Sequence, residues 1–161
     1  MPVSPMQSLP PVDERLDQIM AIMEAAFDPA FGEAWNRSQV RDALTTPNTH
    51  VLLAPLPSSE GAAGFLLSRA APGEEELLLL AVHPEYRRKG VASRLLDSFK
   101  RAAKGRGAAR LFLEMRVNNP AIAFYRLHGF EVIGRRRDYY RQQDGTKLDA
   151  ITFAHDFAKF E

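Results

Sequence analysis

The chain contains no cysteine, which excludes disulfides, thiolate metal sites and a covalent thiol intermediate on the protein. It also lacks any apolar stretch near the roughly 18 residues that a membrane span requires. Histidine is scarce: His50, His83, His128 and His155 are scattered, without ligand spacing such as H-E-x-x-H, so no metal is expected. Neither G-x-x-x-x-G-K-[ST] nor G-x-G-x-x-G occurs, which sets aside the two commoner phosphate loops. No charge of one sign dominates. With 21 basic and 20 acidic residues the formal net charge is +1, which argues against direct nucleic-acid binding.

The opening residues carry four prolines up to Pro11 and no apolar h-region. They read as a loose tail over 1–12, not as a signal peptide, and the expected location is cytoplasmic. Residues 13–161 are enough for one domain that buries its core without disulfides or metals.

The most informative run is Arg87-Arg88-Lys89-Gly90-Val91-Ala92. An unbroken apolar stretch, Leu77 to Val82, precedes it, and Val91, Leu95, Phe99 and Ala102 follow at helical spacing. The order is therefore strand, turn, helix. The first N–H groups of a helix have no intrahelical acceptor, and the helix dipole favours negative charge there. Gly90 permits a tight turn and close approach of an anion, and three successive cations add Coulomb attraction. Cations at a helix start are unfavourable without an anion, so a phosphate site is favoured over a merely solvated turn.

Elsewhere, Leu16, Ile19, Met20, Met23 and Phe27 predict an amphipathic helix over Asp13 to Phe27. A second, shorter helix follows Ser38 and ends before Pro47. Thr49 to Ala54 and Gly64 to Arg69 predict a hairpin, and Glu76 to Val82 a strand buried on both faces. Gly105 and Gly107 end the Gly90 helix. In Leu111 to Arg116 alternation places Leu111, Leu113 and Met115 on one face and Phe112, Glu114 and Arg116 on the other. A short helix is expected next, with Asn119 as N-cap, Pro120 at its first position and Gly129 beyond its end. Phe130 to Ile133 and Asp149 to Phe157 complete the strands, the latter after the Asp144-Gly145 turn. The expected fold class is α/β (α+β), a single domain with a mixed central sheet flanked by helices.

These residues resemble the GNAT superfamily of acetyl-CoA-dependent N-acetyltransferases. Its motif (Q/R)-x-x-G-x-(G/A) is matched by Arg87, Gly90 and Ala92, and Asn119 to Tyr125 and His128-Gly129-Phe130 follow in the family's order. Leu113-Glu114-Met115-Arg116, Arg136 to Tyr140, Asp144-Gly145 and Asp149-Ala150 are similar to its RimI-like group. That group acetylates protein N-termini, with a ribosomal protein as its named substrate.

The resemblance implies acetyl-CoA as co-substrate and no metal. It places the pyrophosphate on Arg88, Lys89, Gly90, Val91, Ala92 and Ser93. Leu80, Ala81 and Val82 would pair with the pantetheine amides, although they also serve as core residues. Asn119 would hold the pantetheine arm, with Asn118 as the alternative because the loop is one residue shorter than in many relatives. Glu114 would accept the proton of the acceptor amine, and Tyr125 would protonate the departing sulfur. Without the resemblance they would read as a solvated carboxylate and a core aromatic. Trp35, Tyr139 and Tyr140 are expected at the acceptor, packing being their other reading. Arg141 and Asn36 depart from the family pattern beside these positions.

An α-amino group, with a pKa of about 7.7–8.0 against about 10.4 for lysine, is the easier nucleophile near neutral pH. The expected function is direct acetyl transfer to a protein N-terminus by a monomer or weak dimer without membrane or nucleic-acid partners. A small amine or lysine side chain is the alternative acceptor, and a non-catalytic acetyl-CoA sensor the alternative class.

Overall fold

The computed structural model describes residues 11–28, 33–56 and 61–159. Most of the expected tail and part of the loop carrying Phe31 lie outside them. Helix α1 (Val12–Ala26) buries Leu16, Ile19 and Met23 of the predicted stripe together with Ile22, while Met20 is half-buried and Phe27 stands at the C-cap. Helix α2 (Arg37–Thr45) starts one residue before Ser38. Its N-cap is Asn36, whose side chain accepts from the Gln39 amide at 2.9 Å, while Gln39 Oε1 accepts from the Asn36 amide at 2.8 Å. This reciprocal pair satisfies two amides that a helix start leaves open.

The sheet contains β1 (Thr49–Pro55), β2 (Ala62–Ala71), β3 (Glu74–Val82), β4 (Arg110–Arg116), β5 (Glu131–Arg141) and β6 (Lys147–Asp156). Their spatial order is β1-β2-β3-β4-β6-β5. All neighbours are antiparallel except β3 and β4. Helix α3 (Val91–Gly105) connects that parallel pair, and the short α4 (Ile122–Leu127) follows β4.

Two cores sandwich the sheet. Leu16, Ile19, Met23 and Val40 pack with Phe65, Leu67 and Leu79 on the α1/α2 side. Val91, Leu95, Leu96 and Phe99 of α3 pack with Leu66, Leu111, Leu113, Met115, Tyr125 and Phe153 on the other. The alternation expected in β4 is observed from Leu111 to Met115: Leu111, Leu113 and Met115 are buried and Phe112 and Glu114 half-buried, whereas Arg116, expected with the latter, is buried.

Four differences from the sequence reading have physical causes. In β3, which the sequence predicts to be buried on both faces, Leu77 and Leu79 are buried but Leu78 and Leu80 only half-buried, and all four line a cleft. Asn119 does not cap α4: its Oδ1 accepts from the Ala121 amide at 2.8 Å, building a turn that leads to the first helical residue, Ile122. Strand β5 extends to Arg141 and so includes Arg135 to Arg137 and both tyrosines. It is an exposed edge strand with register shifts after Val132 and Arg136, so it lacks the apolar alternation that marks a strand. Strand β6 begins two residues earlier than expected, at Lys147.

The site is positioned by a separation of strands. β3 and β4 are paired only from Glu74 opposite Arg110 to Glu76 opposite Phe112. Beyond Glu76 their facing edges part. On its other edge β3 stays paired with β2 to Val82, with a bulge where Leu67 faces Leu79 and Ser68 faces Leu77. The extra residue, Leu78, bends the strand at the start of the cleft.

Candidate active site

The turn between β3 and α3 has the geometry that its sequence suggests. Arg88 has φ of 63° and Gly90 of 78°, both left-handed. Gly90 occupies the N-cap of α3 and contributes no capping side chain, and the first turn of the helix contains no acidic residue. Arg94 Nη1 donates to the Lys89 carbonyl at 3.0 Å and braces the turn. Arg87 instead reaches α1, where Nη2 donates to the Ala26 carbonyl at 3.2 Å.

A cavity of about 410 Å³ opens at this helix start. Its wall includes Leu80, Ala81 and Val82 from the parted edge of β3, and Arg87, Arg88, Gly90, Val91, Ala92 and Ser93 from the turn and α3. Of the sequence-predicted run, only Lys89 is absent from this wall; its ammonium stands 5.6 Å from the centre of the Tyr86 ring. Ser93 Oγ is hydrogen-bonded to His128 Nε2 at 3.2 Å.

A larger groove of about 1060 Å³ lies between the parted strands. It brings together Glu114, Tyr125, Asn119, Trp35, Tyr139 and Tyr140, which are far apart in sequence. Both Asn118 and Asn119 border it: Asn118 Oδ1 accepts from Arg116 Nη1 at 2.8 Å, and Asn119 Oδ1 is committed to the Ala121 amide. Leu80, Arg87, Ala121 and Tyr125 belong to both walls, so the two spaces join there.

Glu114 is steadied through one oxygen. Its Oε2 accepts from Thr152 Oγ1 at 3.2 Å and pairs with Arg136 Nε at 3.0 Å. Among the described residues Oε1 has no hydrogen-bond partner. Tyr125 is buried, with Phe124 and Phe130 edge-on at 5.2 and 5.7 Å. Burial pushes its phenol well above the usual range, so it stays protonated. The Tyr140 phenol is pushed up to about 12, mainly by burial and then by Glu114 and Glu33.

The sequence reading missed three features of the groove. Glu76 shares the wall with Glu114, and burial holds its carboxyl above the ordinary value, with Glu114 contributing in the same direction. Arg136 caps the Glu114 carboxylate while its guanidinium lies 5.0 Å from the centre of the Tyr139 ring. Arg116 Nε pairs with Glu33 Oε1 at 2.9 Å. The parallel pairing of β3 with β4 sets Glu76 opposite Phe112, two residues before Glu114; nothing local in the sequence connects Glu33 with Arg116.

The chain fits a long anionic ligand. The left-handed turn and helix start present backbone N–H groups, the β3 edge beyond Glu76 lacks a neighbouring strand, and a cavity connects them. Among the described residues no group of three or more His, Asp or Glu is assembled as a metal site, and no helix is long and apolar enough to cross a membrane.

Parted parallel strands beside a helix start with no capping side chain leave an open slot that leads into the groove. A family model described as Acetyltransferase (GNAT) family matches residues 16–130, and the chain belongs to that family. It is 39% identical over 93 residues to the [ribosomal protein bS18]-alanine N-acetyltransferase of Escherichia coli K12, covering 57% of this chain and 62% of that protein. It is 33% identical over 146 residues to the N-alpha-acetyltransferase RimI of Mycobacterium tuberculosis, covering 89% and 85% respectively. The crystal structure of the ribosomal-protein-S18-alanine N-acetyltransferase from E. coli superposes with a TM-score of 0.78 at 29% identity, covering 93% of this chain and 91% of the other. A Bacillus anthracis acetyltransferase solved in complex with acetyl coenzyme A matches with a TM-score of 0.61 at 26% identity, covering 70% and 65%.

Proposed function

We propose that the protein transfers an acetyl group from acetyl-CoA directly to the α-amino group of a protein N-terminus. The observation that carries this reading is the junction of the two spaces: a helix-start cavity and a large groove meet at Tyr125, with Glu114 in the groove wall. The relatives named as N-alpha- and ribosomal-protein-alanine acetyltransferases support an N-terminal acceptor, and a ribosomal protein is the acceptor their names suggest.

Arg88, Gly90, Val91, Ala92 and Ser93 would hold the pyrophosphate, Lys89 contributing its backbone and charge, and Leu80 to Val82 would pair with the pantetheine arm. Arg87 would brace the turn against α1, and Asn119 or Asn118 would border the arm from the β4 side. When bound, acetyl-CoA supplies an acetyl group activated as a thioester. Glu114 Oε1 takes the proton from the acceptor nitrogen, directly or through water, as the new N–C bond forms. Tyr125 gives its phenolic proton to the sulfur as the C–S bond breaks. Trp35, Tyr139 and Tyr140 line the acceptor's path. Tyr139 is 53% exposed, and an open rim suits the end of a polypeptide.

The test is turnover on a library of N-terminal peptides, with free lysine and polyamines included, for wild type and Glu114→Gln. Rapid α-amine acetylation that falls roughly 10²–10⁴-fold in the variant is expected. Turnover confined to small amines, or binding of acetyl-CoA without turnover, would overturn the reading in favour of a small-amine enzyme or a sensor.

A further inference from the structure

Ser93 stands in the wall of the helix-start cavity, at the third position of α3. Its backbone amide is among those that a helix start leaves without an acceptor. Its hydroxyl is hydrogen-bonded to His128 Nε2 at 3.2 Å, and His128 is not itself in the cavity wall. The imidazole thus reaches the cavity through the serine.

His128 closes α4. Its amide donates to the Phe124 and Tyr125 carbonyls at 3.2 and 3.1 Å, and its carbonyl accepts from Lys100 Nζ at 2.5 Å. The helix end is therefore served by the His128 backbone and Lys100, and the ring's bond to Ser93 is not needed to terminate it. The ring lies tilted on Phe124, 4.6 Å between centres, and Phe124 lines the same cavity. Lys100 and Asp97, both on α3, are the charged groups that act on the ring. Arg101 and Lys104 of α3 and His155 of β6 border the hollow on which His128 also opens. Burial and then Lys100 hold the imidazole below its ordinary value, with Asp97 opposing, so the ring of the free protein is mostly neutral near neutral pH.

A hydroxyl has one proton to give. While Nε2 is bare, Ser93 donates to it and turns its lone pairs toward an arriving phosphate. Once Nε2 carries a proton, Ser93 accepts from the ring and its own proton is free for the phosphate. The imidazolium, with protons on both ring nitrogens, fixes the second arrangement, and the negative charge of a pyrophosphate favours that form. We propose, on the assignment of the helix-start cavity to coenzyme A, that His128 is a positioning residue that turns Ser93 into a donor toward the pyrophosphate, and that coenzyme A therefore binds with uptake of a proton. The proton comes from solvent and no bond of the ligand breaks. A ligand that raises the proton affinity of His128 must bind more tightly at low pH. That gain fades as pH rises through the imidazole's value in the complex.

Dephospho-coenzyme A is the probe, because the 3′-phosphate of coenzyme A titrates at about pH 6 and would take up protons of its own. Calorimetry of the full chain in buffers of different ionisation enthalpy counts the protons taken up, and NMR of the histidine rings shows which ring receives them. In wild type a fraction of a proton should be taken up near neutral pH. The proton affinity of His128 should rise at least tenfold in the complex, and by linkage dephospho-coenzyme A should bind at least threefold more weakly at about pH 8 than at about pH 6. His128→Gln should take up no proton and bind with an affinity that is flat over this range. Ser93→Ala should bind roughly tenfold more weakly, the loss expected of a hydrogen bond to a charged group, and its His128 should respond to the ligand less than threefold. The ring titration of wild type needs no variant, so a misfolded variant does not decide the outcome. Binding without proton uptake, uptake placed on another histidine, or a His128 response unaltered in Ser93→Ala would overturn this proposal alone. Failure of dephospho-coenzyme A to bind at any pH would overturn the cofactor assignment and this proposal with it.

Discussion

Arg116 and Glu33 form an ion pair at 2.9 Å across 83 residues of sequence, with side chains only 9% and 16% exposed. The same guanidinium donates to Asn118 at 2.8 Å. One side chain at the end of β4 therefore ties together the loop before α2 and the loop before α4, the two loops that flank the groove. Removing one partner of a buried pair strands the other charge and costs about 3–5 kcal/mol. Arg116→Met is expected to lower unfolding free energy by about that amount in urea melts. Glu33→Gln, which keeps a hydrogen-bonding side chain, should fold and raise KM for the acceptor peptide more than KM for acetyl-CoA. Equal changes in the two KM values would show that the pair serves stability alone.

Gly64 has a different constraint. A Cβ at this position would stand 2.8 Å from the Ala81 carbonyl oxygen and 3.2 Å from both Leu95 Cδ1 and Val82 Cγ2. The first contact is with backbone, so β3 must move, and it would move at the stretch assigned to the pantetheine arm. Gly64→Ala is expected to destabilise the fold by about 1–3 kcal/mol, as overpacking does. Its distinguishing effect is weaker coenzyme A binding, measured by calorimetry at a temperature where the variant is fully folded.

What could be read in the sequence follows from where the signal is local. Gly90 and the apolar positions of α3 lie within a few turns of one another, so the anion site and its helix are legible. Alternation places Glu114 opposite the buried face of β4 for the same reason. Strand β5 is legible in the sequence only to Ile133, because Arg135 to Arg141 have no apolar alternation; that segment is held as a strand by pairing with β6. Glu76 joins the groove only through the brief pairing of β3 with β4, and Arg136 reaches Glu114 only through the order β4-β6-β5. Such contacts depend on topology, which residue spacing does not encode.

Acid stability should depend on Glu75. This carboxylate is 1% exposed; it accepts from Ser68 Oγ at 2.6 Å and from Arg106 at 2.9 and 2.6 Å. Burial pushes its pKa up, but the Arg106 and Ser68 hydrogen bonds and the Arg106 charge outweigh burial and hold it below the ordinary value. A carboxyl depressed in the folded state stabilises above its unfolded pKa of about 4.3, and that stability is lost as pH falls through the folded value. Wild type is therefore expected to lose stability below about pH 4.3. In Arg106→Leu burial would act with less opposition, the carboxyl would rise, and the acid limb of the urea midpoint against pH should flatten or reverse. An unchanged limb would show that Glu75 does not set it.

Tyr125 supplies the sharpest test of the assigned chemistry, because among the residues that border both spaces it carries a phenol able to give a proton to the leaving sulfur. It is buried against Phe124 and Phe130, and replacing it with Phe removes one oxygen while retaining the ring. Burial holds the phenol protonated at any working pH, which suits a donor and excludes a role as base. Tyr125→Phe is expected to retain coenzyme A affinity within about twofold and to lower kcat roughly 10²-fold, the lower range for a lost acid. The loss should be smaller for an acyl donor whose leaving group needs no proton. An oxygen ester such as p-nitrophenyl acetate leaves as a stabilised phenolate, so its turnover should be nearly equal in the two proteins. If the variant loses activity equally on both donors, Tyr125 positions the reactants through packing; if it loses none on acetyl-CoA, the sulfur takes its proton from solvent.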